Sequence, residues 1–259
     1  MSATPVVARP SATVVVAREA AAGPELLMVL RSANTAFGAS YVFPGGVLEA
    51  NDAAVDDRCD GVTGSDANRT LDTDQNGIAY YSAAIRELFE ETGILLARSA
   101  AGAWPTTAGT VAQRGALNAG TLSWPDFLRE SGLRLACDTL QYFAHWVTPR
   151  AFDPRFSTRF FVAAAPTHQT AEHCGGEVTD VRWVSASALL DEARVGRVKL
   201  PRPTQITLQQ LAAQTNVEDL LGWAQRRAAG GIERVQPEVV TIAGERRVVL
   251  PGDPAYPVD

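Results

Sequence analysis

The sequence predicts an α/β fold with extra helices and a β-hairpin near its C-terminal end. Three observations predict it. β-Branched and apolar runs at 12–18 ("ATVVVAR") and 25–31 ("ELLMVLR") have strand character. A helical apolar period occupies about 78–96. Strand-like and helix-like segments then mix as far as residue 229 with no linker clean enough to cut, so one domain over 1–259 is expected, with a core at about 12–195.

In chain order, "EAAAGP" (19–24) is a turn-rich spacer between the first two strands, and "YVFPGG" (41–46) is a strand end running into a glycine turn. The segment 51–77 is acidic, rich in Gly, Asn and Asp and poor in large apolar residues, which predicts a loop insertion over 53–77. The helix at 78–96 takes its apolar side from Ala84, Ile85, Leu88 and Ile94–Leu96. Two short helices follow at 110–120 and 123–131, the second with Ser123 as cap and Pro125 in its first turn. Strands are expected at 139–148, 158–165 and 178–185, and helices at 186–194, 204–214 and 217–229. In "PEVVTIAGERRVVLPGD", two short strands flank "AGE", a hairpin signal. The extension 196–259 is open to two roles, covering a site or forming a homodimer contact.

The chain has 259 residues, 46% of them hydrophobic, and a formal charge of −6. It is long enough to bury a sizeable core, and its acidity argues against a nucleic-acid partner held through phosphate neutralisation. It leaves room for small phosphorylated ligands, because a metal ion reverses the local sign. Cys59, Cys137 and Cys174 are odd in number and form no C-x-x-C pair, the pattern of ordinary thiols in a reducing compartment. The first residues lack a basic segment followed by an apolar one, no apolar run approaches membrane-helix length, and "PAYPVD" is not a peroxisomal address. The expectation is a cytoplasmic protein without membrane contact.

The chemistry concentrates in "AAIRELFEETGILLA" (83–97), where Glu87, Glu90 and Glu91 fall at i, i+3 and i+4 of the predicted helix. Glu87 and Glu91 form a like-charge i, i+4 pair, costing roughly 0.2–0.5 kcal/mol. Glu90 and Glu91 also approach the helix C-terminus, where the macrodipole disfavours negative charge. A divalent cation resolves both conflicts, since clustered carboxylates are the hard oxygen ligands that Mg²⁺ and Mn²⁺ prefer.

Together with "PGG" at 44–46, this stretch resembles the Nudix box, G-x5-E-x7-R-E-U-x-E-E-x-G-U, where U is apolar. Its second half matches at Arg86, Glu87, Leu88, Glu90, Glu91, Gly93 and Ile94, and its glycine at Gly46. Asp52 stands where the box has Glu, and the seven-residue spacer is here 33 residues, from Ala53 to Ile85. Together with "HWVTP" and "TRFFVA", the likeness is greatest to the nudix hydrolase 19-like subfamily of coenzyme A diphosphatases.

The resemblance implies a Nudix-type α/β/α sandwich with a mixed β-sheet and a long insertion inside the box. It implies metal-dependent hydrolysis of a pyrophosphate in a nucleoside diphosphate linked to another moiety, with Mg²⁺ or Mn²⁺ as cofactor. The substrate would be coenzyme A or its acyl derivatives, or alternatively ADP-ribose, NADH or another dinucleotide; a nucleotide-sensing module without catalysis is the reading from another class. By resemblance, Glu90 and Glu91 would ligate metal and Glu87 would be a further ligand or help activate water, with the backbone carbonyl around Gly45 or Gly46 and Asp52 as further metal positions. Arg86 would hold a glutamate in place, and Glu177, in "EHCGGEVTDVRW", would be an extra ligand or general base. Arg31 and Ser32 fit the start of a coenzyme A-directed motif whose second arginine position is occupied by Ala36. Arg31 and Arg159 are thus the candidate substrate-binding residues, the latter one of three arginines in "TPRAFDPRFSTRFF" (148–161). His145, Trp104 and Trp124 are read as core residues. "DTDQNG" (72–77) opens like a calcium loop but has Ala83 where a bidentate glutamate belongs, so a turn into the helix is expected.

Overall fold

The computed structural model describes residues 6–33 and 38–257; Ala36 lies outside them. The first strands are β1 (Arg9–Arg18), β2 (Glu25–Arg31), β3 (Tyr41–Val42) and β4 (Gly45–Val47). A short 3₁₀ helix, Ala50–Arg58, leads to α1 (Gly64–Leu71) and α2 (Gly77–Thr92). Then come β5 (Ala97–Arg98), α3 (Val111–Asn118), α4 (Trp124–Ser131), β6 (Arg134–Leu135), β7 (Gln141–Val147), β8 (Phe156–Ala164) and β9 (Val178–Val184). The chain closes with α5 (Ala186–Arg194), α6 (Arg202–Leu211), α7 (Val217–Ala229), β10 (Arg234–Val235), β11 (Glu238–Ile242) and β12 (Glu245–Val249).

Eight strands share one sheet, in the order β10-β7-β8-β1-β2-β3, with β4 also paired to β1 and β9 to β2. The β1–β8 and β10–β7 pairs are parallel and the rest antiparallel, so the sheet is mixed. β1 is central and covered on both faces, which is why it is a continuous apolar run. Its Ala12, Val14 and Val16 join Ile85, Leu88 and Phe89 of α2 in one core. Val15 and Ala17 join Leu208 and Leu211 of α6 and Leu220 and Ala224 of α7 in the other. The result is the α/β/α sandwich, and it puts α6 and α7 on the face of the sheet away from α2.

The helix expected over 78–96 is shorter. Gly93 adopts φ 75°, a left-handed turn that stops α2 at Thr92, and Ile94–Leu96 continue into the core without helical geometry. The segment predicted as a loop over 53–77 is corrected more strongly, since it carries most of the 3₁₀ helix and all of α1. Val55, Ala67 and Leu71 are buried against α2, and Thr63 caps α1 by accepting from the Asp66 N–H at 3.1 Å. Few apolar residues suffice here because they fall on one side of two short helices. "DTDQNG" is the turn between α1 and α2, with Asp72 and Asn76 both left-handed. The hairpin forms around Ala243 and Gly244, both at positive φ, as a two-residue loop with right-handed strand twist requires. No helix among the described residues is long and apolar enough to cross a membrane.

Candidate active site

Arg86 organises the box. Its side chain is almost fully buried, and Nε and Nη2 donate to the two carboxylate oxygens of Asp52 at 2.9 and 3.0 Å. Nη2 also donates to the Val47 carbonyl (3.1 Å), and Nη1 to both Glu87 and Glu90, each at 3.0 Å. One guanidinium therefore ties the end of β4, the start of the insertion and two of the three glutamates. The fork geometry of arginine makes this possible where lysine could not reach all of them.

Asp52 accepts in addition from Ser82 Oγ (3.3 Å) and from the Glu49 N–H (2.8 Å), and the Ser82 hydroxyl accepts from Trp124 Nε1 at 3.0 Å. All four acceptor positions of this fully buried carboxylate are taken. Asp52, expected as a metal position, here spends its oxygens on Arg86, Ser82 and the Glu49 N–H.

The glutamates point along one side of α2. Glu91 is buried; one of its oxygens accepts from the Gly45 N–H at 3.1 Å and the other from Arg31 Nη1 at 3.3 Å. Arg31 Nη2 reaches Glu177 at 2.9 Å, so Arg31 bridges two carboxylates far apart in sequence, Glu91 and Glu177. Gly46 stands directly over Glu87: a Cβ there would come within 2.3 Å of the carboxylate. Burial raises the Glu87 carboxyl to about 7, with the Glu90 charge adding and Arg86 opposing. Glu90 is raised by burial too. Glu91 is raised well above the usual range by burial and then by the charge of Glu87.

Arg159 does not join this cluster. It is buried at the Tyr80 ring (4.8 Å) and donates to the Leu71 carbonyl at 3.1 Å, where it caps α1. The guanidinium expected to contact phosphate lies beneath the insertion, with its Nε buried and without a hydrogen-bond partner among the described residues. His145 and Trp124 are buried as expected, and Trp104 packs partly buried against the core.

Sequence reasoning missed four supporting residues. Ser82 and Trp124 extend the Asp52 anchor, while Arg114 and Asn118 of α3 hydrogen-bond the Glu90 carbonyl. Ser82 was visible only as a small polar residue in an apolar helix, and a backbone carbonyl leaves no mark in a sequence.

The arrangement fits a divalent cation by donor chemistry. Three hard carboxylates share a helix face, and Glu87 Oε2 and Glu90 Oε1 accept no hydrogen bond among the described residues. Glycine at 46 avoids the clash that any side chain there would make with the Glu87 carboxylate. Among the described residues no group of three or more acidic, histidine or cysteine side chains is gathered closely enough to hold a metal ion, and Arg86 holds one oxygen each of Glu87 and Glu90.

A family model of the NUDT19 Nudix domain matches residues 62–211. The chain is 29% identical to the acyl-coenzyme A diphosphatase NUDT19 of Homo sapiens, over 91% of this chain and 73% of that protein. The corresponding protein of Gallus gallus is also 29% identical, with the same coverage. Among solved structures, a NUDIX hydrolase from Alicyclobacillus acidocaldarius is similar with a TM-score of 0.72 and 27% identity, over 84% of this chain and 96% of that one.

Proposed function

The chain belongs to the NUDT19 Nudix hydrolases and is a pyrophosphohydrolase; from that premise we propose that it hydrolyses the diphosphate of coenzyme A or its acyl derivatives in a Mg²⁺- or Mn²⁺-dependent reaction. Glu87, Glu90 and Glu91 would hold the cation, with the backbone at Gly46 beside them. A bound divalent cation supplies charge stabilisation to the phosphate oxygens as the bridging P–O bond breaks. Arg86 keeps Glu87 and Glu90 in register, and Asp52 keeps Arg86 there. Arg31 lies at the edge of the carboxylates, where an arriving phosphate can exchange for one of its acidic partners. Glu177, whose side chain is 70% exposed and ion-paired through one oxygen to Arg31, is the group proposed to take a proton from the attacking water. Water adds to one phosphorus, and two phosphorylated halves leave. The same reading takes the chain as one domain, because the C-terminal helices cover the sheet that carries the site.

The observation that carries this reading is the meeting of three glutamates, Arg86 and Gly46 at one place, where burial and mutual repulsion raise the Glu87 and Glu91 carboxyls. Substrate choice follows from the relatives, which are acyl-coenzyme A diphosphatases. The purified protein is to be incubated with coenzyme A, acyl-coenzyme A, ADP-ribose, NADH, diadenosine polyphosphates and nucleoside triphosphates, each with Mg²⁺ or Mn²⁺, and the products resolved. Coenzyme A or its acyl form should be split, and Glu91→Gln should abolish turnover while the fold holds. Intact substrates throughout, or a fully active variant, would remove the catalytic reading. Preferred cleavage of ADP-ribose or NADH would keep the reaction and change the substrate.

A further inference from the structure

The C-terminus of α2 is where the sequence places Glu90 and Glu91 against the helix macrodipole, and α3 meets it there. In a continuing helix the Glu90 carbonyl would accept from the Ile94 N–H. That N–H instead donates to Thr92 Oγ1 at 3.2 Å, because Gly93 turns the chain away. The freed carbonyl accepts three hydrogen bonds from α3: Arg114 Nε at 3.2 Å, Arg114 Nη2 at 3.1 Å and Asn118 Nδ2 at 3.2 Å. Arg114 Nη2 donates also to the Glu172 carbonyl at 2.8 Å, and the Glu172 N–H donates to the Thr92 carbonyl at 2.8 Å. The guanidinium therefore clamps the last turn of α2 to the segment that runs on to Glu177. Gly93 leaves room for it: a Cβ there would lie 3.1 Å from Arg114 Nη1.

We propose that Arg114, with Asn118 beside it, is a positioning residue for the carboxylate cluster. It fixes the peptide between Glu90 and Glu91 and sets a cation at the helix end, where their charges are least favourable. The peptide unit 90–91 joins the two glutamate Cα atoms, so its orientation sets the directions in which both side chains leave the helix. Arg114 touches neither carboxylate and acts through the backbone. Partners that orient ligands in this way typically contribute 10–100-fold to metal affinity or activity.

The inference rests on the proposed metal-dependent reading, and its test separates the two. Mn²⁺ binding to the full chain, without substrate, is measured by electron paramagnetic resonance for wild type, Arg114→Met, Arg114→Lys and Asn118→Ala. kcat, KM and thermal midpoints in chelator are measured alongside. Arg114→Met should bind Mn²⁺ about tenfold or more weakly and lose kcat more than KM, with a midpoint close to wild type. Arg114→Lys should recover part of the affinity, because it restores the charge but cannot bridge two carbonyls. Should Arg114→Met fail to fold, Asn118→Ala carries the test, with a smaller loss in the same direction. Wild-type Mn²⁺ affinity in the folded variants overturns the positioning role. A wild type that binds no Mn²⁺ and cleaves nothing overturns the catalytic reading itself.

Discussion

Glu87 sits where two costs meet, removal from water and the neighbouring charge of Glu90, and protonation relieves both when no cation is present. Its carboxyl is raised to about 7 in the fold from an ordinary 4.5. Between pH 8 and 6.5 the folded chain therefore binds more protons there than the unfolded chain, and stability rises as pH falls. Below about 6.5 His145 opposes this, because burial and then the Arg159 charge hold it neutral to about 3 while it protonates freely when unfolded. In chelator, the wild-type thermal midpoint should exceed its pH 8 value at pH 6.5, and Glu87→Gln should flatten that difference; His145, common to both proteins, cancels in the comparison. Added Mn²⁺ should raise the wild-type midpoint more at pH 8, since binding must displace the proton. Equal slopes for the two proteins would show that Glu87 is ionised throughout.

At the scale of elements, the long interruption of the box turns out to be part of the core. Its two ends stay together through the Asp52–Arg86 pair, and between them the 3₁₀ helix and α1 lay Val55, Ala67 and Leu71 against α2. Leu71 is 1% exposed, so Leu71→Ala should lower the unfolding free energy by about 2–5 kcal/mol in denaturant titration; a loss below about 0.5 kcal/mol would be that of a surface loop. β1, β2, α2 and the three C-terminal helices were legible because their apolar periods are long and unbroken. α1 was not, because two or three apolar residues in an acidic stretch give no period to count. Its one local signal was Thr63 three residues before Asp66. The site divides in the same way. Arg86 to Glu91 and Gly46 carry their spacing in the sequence. The fate of Arg159 depends on the strand face it occupies and on the carbonyl of Leu71, and only the fold supplies either.

Across the whole molecule, the sheet separates two apolar layers, and only one of them supports the site. Leu88 is fully buried beside Glu87 on the α2 face, whereas Leu220 of α7 is fully buried on the other, against a core that includes Phe143 and Phe160. Replacing either with alanine removes comparable apolar volume and should cost about 2–5 kcal/mol of stability. Their effects on the cluster should differ. Close packing transmits displacement to immediate neighbours, so Leu88→Ala should also weaken Mn²⁺ binding by the folded protein. Effects at well-separated sites without shared partners add independently, so Leu220→Ala should leave that affinity unchanged. Calorimetric titration of both variants with Mn²⁺, below their melting temperatures, reads the difference. A matching loss in Leu220→Ala would mean that the central strand β1, packed by both layers, passes strain from α7 to α2. The C-terminal helices would then belong to the catalytic apparatus and not only to the stability of the sandwich.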